Sequence, residues 1–469
     1  MYYLYPFLLC LFPIHTIFVE NIVEVGFKNY ILSCLFMWLI VFLGVSSFNL
    51  IEPNLLVAEF SFVVTFFLIL NANNVFISLF SSYKRSLVRT KINYIICFLF
   101  ITFLSILLIL YVIPEIFMTI LAKVLVYISL LVTLFVGLDI IKRFNSLNKV
   151  KTNNSVNYST FDKSGSKVFP DIYHIVLDAH AGFSCEGQCD KYFKKELENR
   201  GFYIYEKARS NYNFTHCSLA SCLNMRYIQD MVQPVNEKYS RAVIWSHWGN
   251  NLVFRFLKDK GYEVFVTSPK EFIHIFANSV TTFNLSSIYN TLLFSSIFSI
   301  LKHSYDVSLR SRIFKPFKNF IKICKKKRNA PKYSYLHVLA PHLPYLVTED
   351  GKKIKGEDSL KSENYFTYQK YINKEVLKLI DEIKVNMKEN SIILIHGDHS
   401  FDKKQKYNHD ILLAASFPKD YNSNCLRQNQ TLVNLFRCLF NEVFESDFIE
   451  LDERIYNLDY NTDKILPVN

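Results

Sequence analysis

The chain has 469 residues, too many for one ordinary hydrophobic core, so at least two structural units are expected. Hydrophobic residues make up 51% of it and concentrate before residue 145, which divides an apolar half from a soluble half. The formal charge of +12 suits an anionic bilayer as well as nucleic acid, but no zinc-finger spacing, RNA-recognition signature or basic-plus-heptad region is present, so nucleic acid is set aside as a partner.

Apolar runs occur at about residues 2–18, 31–51, 55–72, 93–113 and 116–141, and a helix needs roughly 20 apolar residues to cross the hydrocarbon core. The second and fourth reach that length. The first is short and carries Pro6, Pro13 and His15, but it lacks a basic n-region and a small-residue cleavage site, so it reads as a retained span rather than a signal peptide. The fifth contains Lys123, which leaves a clean stretch from Val124 to Leu138 that either tilts or lies partly in the interface with the lysine snorkelling. Residues 1–144 are therefore expected to form a multi-span helical membrane domain of four or five spans. Lys84, Arg85, Arg89 and Lys91 form one basic loop, and Lys142, Arg143, Lys149 and Lys151 follow the last run. Two spans separate these clusters, so both fall on one side, and the positive-inside tendency puts the downstream domain in the cytoplasm. Residues 145–168, rich in Asn, Ser and Lys, read as a linker.

From residue 169 to 469 the pattern changes to short β-rich runs between helical stretches. Strands are expected at Ile172–Leu177, Tyr262–Thr267, Tyr333–Leu339, Ser391–Ile395 and Ile411–Ala415. Leu252–Lys258 reads as a helix stopped by Gly261. Tyr368, Ile372, Val376, Leu379 and Ile383 line one face of a helix over Tyr365–Ile383. This alternation predicts an α/β sandwich with a mainly parallel sheet, whose ligands gather beyond the C-terminal ends of the strands.

Two of those strand ends carry candidate ligands. The first runs into Asp178-Ala179-His180 and a later one into Gly397-Asp398-His399. Together they offer hard oxygen and borderline nitrogen donors to one divalent cation. Taken singly, an Asp after a strand serves equally as a helix cap, and a His as a hydrogen-bonded core residue. Between them, Ser210 to Met225 places small hydroxyl residues ahead of an apolar helical turn. That is either a simple N-cap or a nucleophile at a helix N-terminus, where backbone N–H groups hold an anion under attack. The ten cysteines include no C-x-x-C pair, and the seven downstream of the apolar half cannot all pair with one another. Cys185 and Cys189 are spaced for a disulfide in an oxidising compartment or for a metal site. Lys322, Lys325, Lys326, Lys327 and Arg328 make either a solvated loop or a docking surface for anionic headgroups.

Pro170–Asp178 resembles the metal-binding first strand of the alkaline phosphatase/sulfatase superfamily. Thr215-x-x-Ser218-Leu219-x-Ser221 resembles the nucleophile segment of membrane phosphoethanolamine transferases, and Gly397-Asp398-His399 resembles their paired metal ligands. His342-Leu343-Pro344-Tyr345 is similar to their substrate-contacting His-x-Pro-aromatic element. The Asn211-Tyr212 lead-in, the run Ser218–Met225 and the helix around Gln369, Tyr371, Asn373 and Lys374 look like those of membrane sulfatase-like hydrolase/transferase proteins, lipoteichoic acid synthases included. The resemblance spans about residues 170–455. It implies that Asp178, Thr215, Asp398 and His399 hold one divalent metal ion, Zn or Mn, and that Thr215 is the nucleophile. It also implies that His342 and His409 bind substrate. His180, His216, His337 and His396 are read as packing or supporting residues. The partners implied are a phospholipid donor, a surface glycan or lipid acceptor and the membrane, with the catalytic domain outside the cytoplasmic membrane, against the charge pattern above. Two departures stand out. Cys217 is not followed by x-Pro-x-Arg, which disfavours sulfatase chemistry through a converted cysteine, and Asp178 is followed by Ala179 rather than a second acid, which favours one metal. A hydrolase of phosphate or sulfate esters on the same scaffold and a non-catalytic polymer-binding member are the alternatives.

Overall fold

The computed structural model describes residues 5–11, 14, 27–51, 54, 56–66, 114–153, 169–184, 190–268, 279–282, 310–401, 409–459 and 461–468. The basic loop at Lys84–Lys91, the apolar run at 93–113, and Cys185 and Cys189 lie outside these residues.

In the N-terminal unit, helix α1 (Phe27–Ile51) and helix α2 (Glu115–Asn153) carry the candidate spans Tyr30–Leu50 and Ile116–Phe135, of 21 and 20 residues. At 1.5 Å per residue each covers about 30 Å, the thickness of a bilayer's hydrocarbon core. Ile31, Leu35, Leu39 and Phe42 on α1, and Ile120, Tyr127, Leu131 and Leu134 on α2, are exposed, an apolar surface suited to lipid tails. Against four or five expected spans, two helices among the described residues are long and apolar enough to cross, with a shorter apolar helix at Leu56–Phe66. Lys123 does not interrupt α2, so the last apolar run is long and apolar enough to span. The same helix continues through residues 145–153, the start of the expected linker.

The C-terminal unit is built on a seven-stranded sheet of β1 (Asp171–Leu177), β2 (Tyr203–Ile204), β3 (Glu263–Ser268), β4 (Ser279–Thr282), β5 (Lys332–Val338), β6 (Ser391–Gly397) and β7 (Leu413–Ser416). Their order is β2-β7-β6-β1-β5-β3-β4. The five strands from β6 to β4 are mutually parallel, whereas β7 runs antiparallel to β6 and β2 antiparallel to β7. The sheet is mainly parallel as expected, and the antiparallel β7 and β2 at one edge make it mixed, a detail that residue pattern does not carry because it marks a strand without marking its direction. β2, β4 and a separate hairpin, β8 (Tyr456–Asp459) with β9 (Lys464–Pro467), escape sequence reading because strands of two to four residues show no period.

Helices cover both faces, which is why the central strands are buried from end to end. On one face Tyr173, Ile175, Leu177, Leu336, Ile393 and Ile395 pack with α3 (Lys191–Asn199), α7 (Lys315–Cys324) and α8 (Tyr365–Asn386). On the other face, alternate residues meet α4 (Thr215–Asn224), α5 (Arg241–Gly249), α6 (Leu252–Asp259) and α9 (Leu432–Phe444) through rings such as His174 with Phe436 and Tyr333 with Phe254. Gly261, at φ +83, closes α6 before β3 as its sequence position predicts.

Candidate active site

The register of β1 against β6 makes the site. Leu177 pairs with Gly397 as the last rung of a parallel ladder, so the next residues, Asp178 and Asp398, emerge side by side at the C-terminal edge. Gly397 is required there: a Cβ would stand 2.3 Å from the His180 carbonyl oxygen. Ala179 turns the chain with a left-handed φ of 62° and donates its N–H to Asp398 Oδ1 at 2.9 Å. The His399 N–H donates to the same oxygen, also at 2.9 Å. Among the described residues, Asp398 Oδ2 is buried with no hydrogen-bond partner of normal geometry. His399 Nδ1 lies 2.7 Å from the Ser400 carbonyl and donates to it, so Nε2 is the ring nitrogen that faces the carboxylates. That nitrogen is 3.5 Å from Asp178 Oδ1, 3.7 Å from Asp398 Oδ2 and 3.2 Å from Thr215 Oγ1. Asp178, Asp398 and His399 are all buried, and their candidate ligand atoms lie within 4.8 Å of one another.

Thr215 begins α4, one residue after Phe214, which is extended. The helix's first amides, unsatisfied by any intrahelical carbonyl, therefore border His399. The serine-rich run that follows anchors this helix. Ser218 donates its hydroxyl to the Asp398 carbonyl at 2.6 Å, and Asn224 caps the far end by donating to the Ala220 and His247 carbonyls. The Asn-Tyr lead-in is structural too: Asn211 bridges Val433 and Arg454, and Tyr212 bridges Gln229 and Ile228. Cys217 is fully buried within α4 and burial pushes its thiol up, the reverse of an activated nucleophile.

Three residues of α8, spaced by four, support the Asp178 turn from behind. Tyr365 donates to the Ala179 carbonyl and accepts from the Ala181 N–H, both at 2.8 Å. His180 Nε2 lies 2.8 Å from Asn373 Oδ1, and its Nδ1 donates to the Ala181 carbonyl at 2.8 Å, which Gln369 also reaches as a donor at 3.2 Å. Asn373 in turn donates to Asp190, the N-cap of α3. Burial lowers the His180 pKa, with the contacts to Asn373 and Ala181 opposing.

His342 follows β5. Its N–H donates to the Asp178 carbonyl at 2.9 Å, and its ring centroid is 6.2 Å from that of His399. The loop it sits on is held by Arg312, which donates to the carbonyls of His342, Leu343 and Pro344 at 3.1, 3.2 and 3.1 Å. Burial draws the Arg312 guanidinium below its ordinary pKa, with Tyr368 and Asp178 opposing.

Beneath the site a chain of neutral groups crosses the sheet. His396 Nδ1 faces the Gly397 carbonyl at 2.8 Å and must donate to it, so its Nε2 accepts from His174 Nε2 at 2.7 Å, and His174 Nδ1 accepts from the Tyr333 hydroxyl at 2.7 Å. Burial pushes His396 down to about 4 and His174 well below its ordinary value, which keeps both rings neutral. His337 Nε2 lies 3.8 Å from Asp178 Oδ2. Burial alone would raise the Asp398 carboxyl, but His399, His337 and the Ala179 N–H hold it below the ordinary carboxylate value.

The structure thus brings together Asp178, Thr215, Asp398 and His399, with His342 beside them. His409, read from the sequence as a substrate-side residue, lies against two neighbouring segments. Its Nδ1 meets the Ser210 carbonyl at 3.1 Å and its Nε2 meets Asn457 at 2.9 Å, so both ring nitrogens are engaged in holding neighbouring segments. His180 and His396 support the site as read from the sequence. Arg312 and Tyr365 escaped that reading, although polar residues recurring every four positions on the apolar side of α8 are a visible signal.

A sequence model of the sulfatase family matches residues 191–458, more than half of the chain. No curated protein matches it by sequence. In three dimensions it is similar to the C-terminal periplasmic domain of EcEptC from Escherichia coli, at 13% identity over 65% of this chain and 94% of that one, TM-score 0.44. It is similar to the integral membrane protein lipooligosaccharide phosphoethanolamine transferase A from Neisseria meningitidis, at 12% identity over 92% and 94%, TM-score 0.39. It is also similar to the phosphonate monoester hydrolase of Agrobacterium radiobacter, at 10% identity over 61% and 79%, TM-score 0.39.

Proposed function

Because the chain belongs to the sulfatase family, within the alkaline phosphatase/sulfatase superfamily, and is a sulfatase-like hydrolase or transferase, we propose that it is a membrane-anchored, metal-dependent transferase using Thr215 as nucleophile. It moves a phosphoethanolamine- or phosphoglycerol-type group from a phospholipid donor to a surface glycan or lipid. The observation that carries this reading is Thr215 Oγ1, 3.2 Å from His399 Nε2, at a helix N-terminus beside the buried Asp178–Asp398–His399 cluster.

The residues fit one divalent cation, Zn or Mn. Two carboxylates, an imidazole lone pair and a threonine oxygen are the donor set such ions take, and the orphaned Asp398 Oδ2 is the kind of buried oxygen that needs a positive partner. When bound, the ion lowers the pKa of the threonine hydroxyl and offsets the charge that develops on the transferred group. Thr215 Oγ attacks phosphorus and its proton passes to water. The phosphorus–oxygen bond to diacylglycerol breaks, and His342 gives that oxygen a proton. The acceptor hydroxyl then attacks the phospho-threonine and His342 takes its proton, while the threonine oxygen leaves and is reprotonated by water. The first amides of α4 hold the anionic oxygens through both transfers. His409 works by fixing the Ser210 and Asn457 segments. A surface acceptor places the catalytic unit outside the cytoplasmic membrane, against the basic clusters that favour the opposite side.

The test is covalent trapping. The full chain is incubated with phospholipid donor and no acceptor, acid-quenched, and analysed by peptide mass spectrometry. The headgroup phosphate is expected on Thr215. An unmodified Thr215 with steady release of free headgroup phosphate overturns the covalent transferase in favour of direct hydrolysis.

Arg312 supplies a second expected result. Arg312→Met leaves three loop carbonyls without their donor, so stability should fall by about 1–3 kcal/mol. kcat on an aryl phosphate ester should fall roughly 10- to 100-fold as His342 loses its position, with bound metal unchanged. Calorimetry, steady-state kinetics and metal analysis on one preparation check all three.

A further inference from the structure

We propose that α7 and the Lys325–Arg328 segment after it form a docking surface for a bilayer carrying anionic phospholipids. Lys315, Lys318, Lys322, Lys325 and Lys326 are all exposed. At helical periodicity the three on α7, Lys315, Lys318 and Lys322, fall within an arc of about 60°. Lys325 to Arg328 carry the charge on beyond the helix end, and Phe314, 41% exposed, flanks it at the start. The opposite face is committed to the core through Phe317, Phe320, Ile321 and Cys324. No ion pair among the described residues engages the six lysines from Lys315 to Lys327 named here, and Arg328 alone pairs, with Glu263 at 3.4 Å. The sequence keeps the patch clear of acids: residues 307–348 contain no Asp or Glu.

An unneutralised cationic stripe carries a cost in self-repulsion, and an anionic partner relieves it. The stripe suits lipid headgroups for two reasons. The same chain carries two helices long and apolar enough to cross a membrane, so a bilayer is always at hand. A single exposed aromatic at the edge of a lysine face matches an interfacial helix, whereas single-stranded nucleic acid is held by successive stacking rings that this face lacks. Because the apolar face of α7 is spent on the domain core, docking rests on headgroup charge and not on insertion. It should therefore weaken steeply with salt. This inference is independent of the metal-site reading.

The experiment uses the full chain in nanodiscs of phosphatidylcholine, with or without phosphatidylglycerol, and follows tryptic cleavage at Lys325–Arg328. Cleavage at the exposed Lys352–Lys353 pair is the internal reference. With phosphatidylglycerol at low salt, cleavage at Lys325–Arg328 relative to the reference should slow at least roughly fivefold, and high salt should restore it. The triple variant Lys315→Glu/Lys318→Glu/Lys322→Glu keeps every monitored site and should lose the protection, while its cleavage in phosphatidylcholine discs stays at the wild-type rate, which also reports correct folding. Equal rates in both discs, or protection that survives the triple variant, would overturn the proposal. Protection by added DNA in neutral discs, with none from phosphatidylglycerol, would overturn it in favour of a nucleic-acid surface.

Discussion

Thr215→Ala is expected to lower turnover by roughly three to six orders of magnitude, the range seen when the attacking group of a covalent mechanism is removed. The fold should hardly notice. Thr215 is half-buried at the first position of α4, and the helix is anchored one turn later by the Ser218 hydroxyl on the Asp398 carbonyl. Thr215→Ser retains the oxygen and should keep measurable activity and the covalent adduct. Steady-state rates on an aryl phosphate ester, with circular dichroism of each variant, make the comparison. Alanine turnover within tenfold of wild type would remove Thr215 from the chemistry and leave water as the attacking group.

The second large effect belongs to Asp398→Asn. This exchange keeps a side-chain oxygen to accept from the Ala179 and His399 N–H groups, so the turn should survive. What it removes is the negative charge that Asp398 Oδ2 carries beside His399 Nε2 at 3.7 Å. Metal affinity should drop by at least about 100-fold, and turnover should fall with it. Stability offers an independent readout. At metal concentrations near 100 times the dissociation constant, the wild type should gain about 2.7 kcal/mol from binding, and the variant should gain almost nothing. Elemental analysis and metal-dependent thermal melts of both proteins settle the matter. Equal metal content in the two would dissolve the site.

The strands that carry the chemistry were legible because they are buried on both faces. IYHIVL and SIILI read as strands by their length and β-branched content, and the acids beyond them stand out against that background. Direction was not legible: nothing in Leu413–Ser416 says that it runs against β6. Nor could the residue pattern assign His409, whose spacing from His399 suits a substrate ligand but whose nitrogens meet Ser210 and Asn457. Such partners are remote along the chain, and a histidine looks the same in either role. Arg312 is the clearest omission. It lies in a basic stretch, where one cation that turns inward to bind carbonyls is indistinguishable from its solvated neighbours until the fold is known.

The pairing of Leu177 with Gly397 also decides which changes of length the chemistry can survive. Slipping β6 by one residue would swing Asp398 to the far side of the pleat. Slipping it by two would carry the carboxylate about 7 Å along the strand, out of any shared coordination sphere with Asp178. Extra residues in the connections between β1 and β6 would cost only a little chain entropy. The protein is in this sense a ruler with elastic ends: insertions between strands are cheap, while a single insertion inside β1 or β6 would leave a folded sheet with its donors out of step.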